Sequence, residues 1–138
     1  MIFVPRAVGA AMGYHVVAAD AVEPTPDRPS IHRAIGDAAG LSGLAVNRYE
    51  AAPGEQLPLA YHYHDEQEEL FYVLAGELHV ETPEGTFSAG ADEVFVAEPE
   101  SPHRAYNPAD ADAPVEVLAI GAPAVDDAHA YDPEGEAP

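Results

Sequence analysis

The sequence predicts an all-β domain, a sandwich or barrel of many short strands with little helix. Turn formers recur at short intervals, at Pro24, Pro26, Pro29, Pro53-Gly54, Gly76, Pro83-Glu84-Gly85, Gly90, Pro99, Pro102, Pro108 and Pro114. Between them lie short β-compatible segments, several of which alternate apolar and polar residues. The length of 138 residues and a hydrophobic content of 47% suit one compact domain and are too small for two ordinary ones. No internal repeat is present, which excludes a duplicated two-barrel chain.

In chain order, residues 1–13 (MIFVPRAVGAAMG) read as a leader or an extra strand. The run is mildly apolar, Pro5 and Arg6 interrupt it, and no basic stretch precedes it as in a secretory signal. Met12 is an alternative start. Residues 29–41 form the one plausible helical stretch, weakened by Gly36 and Gly40. Strands are expected at residues 43–51, 57–64, 69–75, 77–82, 93–97, 103–107 and 115–120. In Glu77-Leu78-His79-Val80-Glu81, Leu78 and Val80 share one face, and Glu77, His79 and Glu81 the other. Residues 122–138 are acidic and rich in Ala and Pro, and are expected to form a loosely held tail, leaving residues 14–121 as the folded domain.

Twenty-five Asp and Glu against five basic residues give a formal net charge of −20, and all five basic residues (Arg6, Arg28, Arg33, Arg48, Arg104) are arginine. The absence of lysine excludes a Schiff-base or P-loop lysine. The absence of cysteine excludes a thiolate nucleophile, a disulfide framework, an iron–sulfur cluster and a Cys-type zinc site. So acidic a chain is not expected to bind nucleic acid or an anionic membrane surface, and no apolar run approaches the ~20 residues of a spanning helix. The acids are spread through the whole chain, and the self-repulsion of such a charge is screened by molar salt. The expectation is a halophilic, cytoplasmic protein, with a composition that resembles haloarchaeal proteins.

The chemistry remaining to such a chain is that of His and carboxylates. In His62-Tyr63-His64, residues i and i+2 of a strand put two imidazoles on one face. Five residues on, Glu69 opens the apolar run Leu70-Phe71-Tyr72-Val73-Leu74, which ends at Ala75-Gly76. A hairpin turning through residues 65–68 could return Glu69 beside the histidines. Glu68 is the rival carboxylate, but Glu69 shares its face with Phe71 and Val73.

These residues resemble the first motif of the cupin superfamily, roughly G-x5-H-x-H-x3-4-E-x6-G. His62, His64, Glu69 and Gly76 reproduce the H-x-H-x4-E-x6-G portion, while Gly54 lies seven residues before His62 instead of five. Residues 90–107 resemble the second motif, G-x5-P-x-G-x2-H-x3-N. Its close, His103-x3-Asn107, is intact, but its middle reads Ala97-Glu98-Pro99-Glu100-Ser101-Pro102, with Glu100 in the glycine's place. The two motifs span residues 54–76 and 90–107. The resemblance implies a single-domain jelly-roll β-barrel that binds one divalent transition metal through His62, His64, Glu69 and His103. Such a donor set suits Zn, Fe, Ni, Mn or Cu, and four protein ligands on a six-coordinate ion leave two positions for water or substrate. The expected function is a small metal-dependent enzyme, of oxygenase or isomerase/lyase type, acting on a small polar molecule. The alternative is a non-catalytic metal-containing module that binds or senses a small ligand.

His15, His32, His79 and His129 are read as solvated or structural, and Arg104, beside His103 in the chain, as a paired surface cation. Either Arg48 or Tyr49 could line the pocket. Asn107 is read as closing a turn before Pro108. Tyr61, Tyr63 and Tyr72 are read as packing residues on the second face, available for a subunit contact, since cupins commonly form homodimers. Asp126-Asp127 and Glu134-Glu136 are taken as solvated charge.

Overall fold

The protein is described by a computed structural model covering residues 13–57 and 60–134, so the expectation for the first twelve residues lies outside it. The described elements are a 3-10 turn (Ala19–Ala21), β1 (Ile31–Arg33), α1 (Ile35–Ala39), β2 (Ala45–Ala51), β3 (His62–His64), β4 (Glu68–Ala75), β5 (Glu77–Thr82), β6 (Gly85–Gly90), β7 (Val94–Ala97), β8 (Arg104–Tyr106), β9 (Val115–Ala122) and β10 (Ala128–Ala130). The fold is all-β with little helix, as the turn spacing predicts. Among the described residues no helix is long and apolar enough to cross a membrane.

One layer is a five-stranded antiparallel sheet in the order β1-β2-β9-β4-β7. The other combines the sheet β6-β5-β8 with the pair β10-β3, joined by an antiparallel bridge between His62 and His103, while Gln56 bridges to Tyr106 of β8. Alternation builds the core. On β9, Val115, Val117, Ala119 and Gly121 point inward and are buried, and Val73 of β4 and Leu78 and Val80 of β5 meet Val115 and Val117 in one apolar cluster. Burial of such β-branched and leucine side chains contributes about 1.5–3 kcal/mol each.

Four sequence expectations are corrected here. β3 does not form a hairpin with β4; it pairs with β10, with His64 opposite Ala128 and His62 opposite Ala130. Asp65–Gln67 instead carries the chain from one layer to the other, so Glu69 reaches the histidines across the barrel. The segment after Ala122 is not a loose tail through Tyr131. Besides the β10 ladder, the Tyr131 amide donates to the Tyr61 carbonyl, the Tyr61 and Tyr131 rings meet at 5.0 Å, and His129 stacks on Tyr63. Two strands were not expected at all: β1, inside the stretch read as helical, and β6, whose sequence GTFSAG has weak β-propensity and is held by a hairpin to β5.

Two motif positions show why the backbone requires what it does. Gly76 follows β4 with φ at +79°, and a Cβ there would press on the Pro114 carbonyl oxygen and sit 2.9 Å from Val115 Cα. Glu100, in the place of the family's glycine, also has positive φ, +66°, and its amide donates to the His64 carbonyl at 2.6 Å. A non-glycine residue there costs about 1 kcal/mol of backbone strain. Gly76→Ala is therefore expected to destabilise the fold by at least about 2 kcal/mol. Glu100→Gly should stabilise it by up to about 1 kcal/mol. Urea denaturation midpoints of the two variants check both signs.

Candidate metal centre

The site is assembled by strand pairing. His62 and His103 exchange both backbone hydrogen bonds, His62 N–H to His103 O at 3.1 Å and His103 N–H to His62 O at 2.9 Å. Such a pair sits side by side on one face, and the two rings lie 4.5 Å apart, centroid to centroid. His64, two residues along β3, shares that face. Glu69 enters from the opposite layer, on the inward face of β4 with Phe71 and Val73, in register with the small residues Gly121 and Ala97. Glu68, the rival, is exposed. The candidate ligand atoms of His62, His64 and Glu69 all lie within 4.8 Å of one another. His103 Nε2 lies 3.2 Å from Glu69 Oε1.

Proton placement decides what this cluster can do. His62 Nδ1 is 2.8 Å from the Ala60 carbonyl, His103 Nδ1 is 2.8 Å from the Ser101 carbonyl, and His64 Nδ1 is 2.9 Å from Asp127 Oδ1. Those oxygens can only accept, so each ring carries its proton on Nδ1 and turns an Nε2 lone pair toward the centre. His64 Nε2 is buried and makes no hydrogen bond; it lies 3.4 Å from Glu69 Oε1. Lone pairs facing a carboxylate at such distances repel unless a cation, an added proton or a metal ion, sits between them. The donor set therefore fits a borderline divalent ion, with each imidazole held from behind as metal-ligating histidines are.

The charge balance of the cluster shows in the pKa values. Burial pushes Glu69 up, but hydrogen bonding and attraction from His103 and His64 in their doubly protonated forms, the added-proton alternative to a metal ion, outweigh it and hold the carboxyl at about 2. Burial lowers His62, against a smaller raising effect of the Ala60 carbonyl. The Glu69 carboxylate raises His64, burial opposes it, and Asp127 raises it further. Glu69 is thus an anion at any physiological pH and supplies the one negative charge among the candidate ligands.

Asp127 is the residue that sequence reasoning missed. The sequence reads it as solvated charge, yet its Oδ1 accepts from His64 and its Oδ2 accepts from the amides of Glu66 at 2.6 Å and Gln67 at 3.0 Å. Partial burial pushes its pKa up, but the Glu66 and Gln67 amides and His64 hold it at about 2. Its only sequence signal is its place one residue before the alternating segment Ala128–Ala130, a signal too weak to override an acidic, proline-flanked context. The structure places the other singled-out residues as follows. Arg104 pairs with Glu81 and lies over the Tyr106 ring, and Arg48 pairs with Glu116 on the outer face. Tyr49, not Arg48, lines the cavity. Asn107 is buried and ties the Ala51 and Ala113 carbonyls. His79 faces outward against Glu77.

The cluster opens on a cavity of about 150 Å³ whose other walls include Asn47, Tyr49, Leu57, Phe71 and Ala105. That is room for about five waters.

This fold matches that of known proteins. The model of the cupin domain family matches residues 47–121, more than half of the chain, and the chain belongs to that family. Among curated proteins it is similar to a polyketide synthase CurC of Streptomyces cyaneus, 35% identical over 79 residues that make up 57% of this chain and 47% of that protein. The chain thus spans about half the length of that relative. Among solved structures, it is similar to a sugar phosphate isomerase of the cupin superfamily from Silicibacter pomeroyi, with 27% identity, a TM-score of 0.65, and coverage of 75% of this chain and 72% of that one. The polyketide cyclase RemF of Streptomyces resistomycificus superposes with a TM-score of 0.71 at 17% identity over 86% of each chain, a likeness of fold.

Removing the carboxylate behind His64 tests its part. Asp127→Ala is expected to weaken divalent-metal affinity by about 10- to 100-fold, with Asp126→Ala close to the parent. Competition titration against a chromophoric chelator, alongside circular dichroism to follow the fold, measures it.

Proposed function

We propose that this cupin is a small metal-dependent enzyme of the isomerase or lyase type, holding one divalent transition ion through His62, His64, Glu69 and His103. The observation that carries the reading is the inward convergence of the imidazole Nε2 atoms on Glu69, with every Nδ1 proton committed elsewhere. When bound, a Zn, Fe, Ni, Mn or Cu ion would supply Lewis-acid polarisation of a substrate oxygen, or dioxygen chemistry if it is iron or manganese. The isomerase and cyclase activities of the relatives favour bond rearrangement over oxygenation.

The chain's own residues narrow the substrate. No arginine lines the cavity among the described residues, so a phosphate ester, as in the sugar phosphate isomerase it resembles, would find no cationic side chain there. A volume of about 150 Å³ lies below the roughly 300 Å³ where drug-sized pockets begin. A small oxygen-rich molecule fits, and a polycyclic product does not. The pocket walls of Leu57, Phe71 and Ala105 exclude bulk water around it.

A second reading, a non-catalytic binding or sensing module, is favoured by one observation. Apart from the candidate ligands, Tyr49 is the only titratable side chain among the described lining residues, so no free carboxyl or imidazole stands ready for proton transfer.

Elemental analysis of protein purified in molar salt without chelator tests the metal reading, with Glu69→Ala and His103→Ala in parallel. About one ion per chain in the parent and at least about a tenfold loss in both variants is expected. A parent that takes up no metal on reconstitution overturns it. Metal-dependent turnover then separates enzyme from binding module.

The assembly we propose is a homodimer through the outer face of the five-stranded sheet. At −20 per chain two copies repel one another, so an exposed apolar patch is the surface able to hold them together. On that face Tyr72, Leu74, Val94 and Val96 are exposed, with Leu70 opposite Val96 and Ile120 in the same row. Light scattering in molar salt should give twice the chain mass, and Val96→Glu should return it to the monomer.

A further inference from the structure

Three residues that hold no metal in this reading, His32, Asn47 and Tyr49, meet on the inward side of β1 and β2. His32 lies directly opposite Tyr49 in the ladder, and their rings stack at 4.9 Å with 20° between planes. His32 Nε2 is 2.7 Å from Asn47 Oδ1, two residues along the same face of β2. That oxygen accepts, so His32 donates from Nε2, and the Asn47 amide is fixed with its oxygen toward His32 and its Nδ2 free to donate. Tyr49 is only 7% exposed. Both side chains line the cavity that His62, His64 and Glu69 also line.

The two sides of this cavity are chemically opposite. The candidate ligands present lone pairs and one carboxylate, whereas Tyr49 and Asn47 present N–H and O–H donors. Gln67, the remaining amide, has its Nε2 committed to the Pro123 carbonyl at 3.0 Å. A carboxylate oxygen accepting from the Tyr49 and Asn47 donors would form charge-assisted hydrogen bonds, which are shorter and stronger than neutral ones. A divalent ion together with Glu69 leaves one positive charge, which suits a single anionic oxygen group. We propose that Tyr49 and Asn47, held in place by His32, form a specificity subsite that takes one oxygen of a small carboxylate or enolate whose other oxygen faces the His62/His64/Glu69 cluster. This subsite rests on the metal reading above. It gives the pocket a preference for a hydroxy- or oxo-acid over a neutral polyol, and it works by orientation, with Tyr49 and Asn47 touching the substrate and His32 acting as a positioning residue.

The probe is glycolate, compared with its neutral counterpart ethylene glycol, titrated into cobalt-loaded protein and followed by the cobalt absorption bands. Wild type should bind glycolate more tightly than ethylene glycol. Tyr49→Phe should weaken glycolate binding by about tenfold or more while leaving cobalt affinity unchanged. His32→Leu should lose part of the same preference, and Tyr72→Phe, on the outer face, none of it. Equal glycolate affinity in wild type and Tyr49→Phe, or no preference over ethylene glycol, overturns the subsite with the metal reading intact. Failure of the wild type to take up cobalt overturns the metal reading itself, and the subsite with it.

Discussion

Imidazole lone pairs and a carboxylate aimed at one point repel one another, and the rest of this structure serves to hold them there until a cation arrives. The Nδ1 protons of His62, His64 and His103 are spent on Ala60, Asp127 and Ser101, which leaves each ring nothing but an acceptor to offer inward. Holding like-natured groups together requires a stiff frame. β3 is accordingly paired on both edges, with His103 on one side and β10 on the other. Space is made by the small inward residues Ala119 and Gly121 of β9, the latter covered by the Gln67 side chain so closely that a Cβ would stand 2.6 Å from Gln67 Cδ.

That frame explains why the C-terminal segment folds back. Asp127 spans His64 and the amides at the β3–β4 crossover, so one carboxylate fixes a ring and the connection that delivers Glu69. The cavity behind it has an acceptor side and a donor side, a division that a metal ion and an anionic oxygen would each satisfy. No arginine lines it among the described residues, and its volume of about 150 Å³ is small.

Much of this was legible in the sequence. The period-2 alternation of Leu78 and Val80 and the positions of Pro and Gly marked most strands, because burial on one face and turn chemistry are local properties. His62, His64 and Glu69 were legible from spacing, and His103 from the intact close of the second motif. Pairing partners were not. Whether β3 meets β4 or β10 depends on which edge a three-residue crossover leaves open, and nothing in Asp65-Glu66-Gln67 encodes that alone. Asp127 stayed hidden for a related reason: one acid among twenty-five is distinguished by what it touches and not by its neighbours in the chain. Tyr49 against Arg48 was decided by the facing layer, which buries the first and leaves the second to Glu116.

The central claim is that His62, His64 and His103 hold their protons on Nδ1 and keep Nε2 for a metal. Long-range proton–nitrogen correlation spectra of the ring nitrogens, on metal-free protein above pH 8 and again with zinc, test it most directly. The account predicts the Nδ1–H tautomer for all three rings and a zinc-induced shift confined to their Nε2 nitrogens. An Nε2–H tautomer in these rings, or Nε2 signals indifferent to zinc, would contradict it.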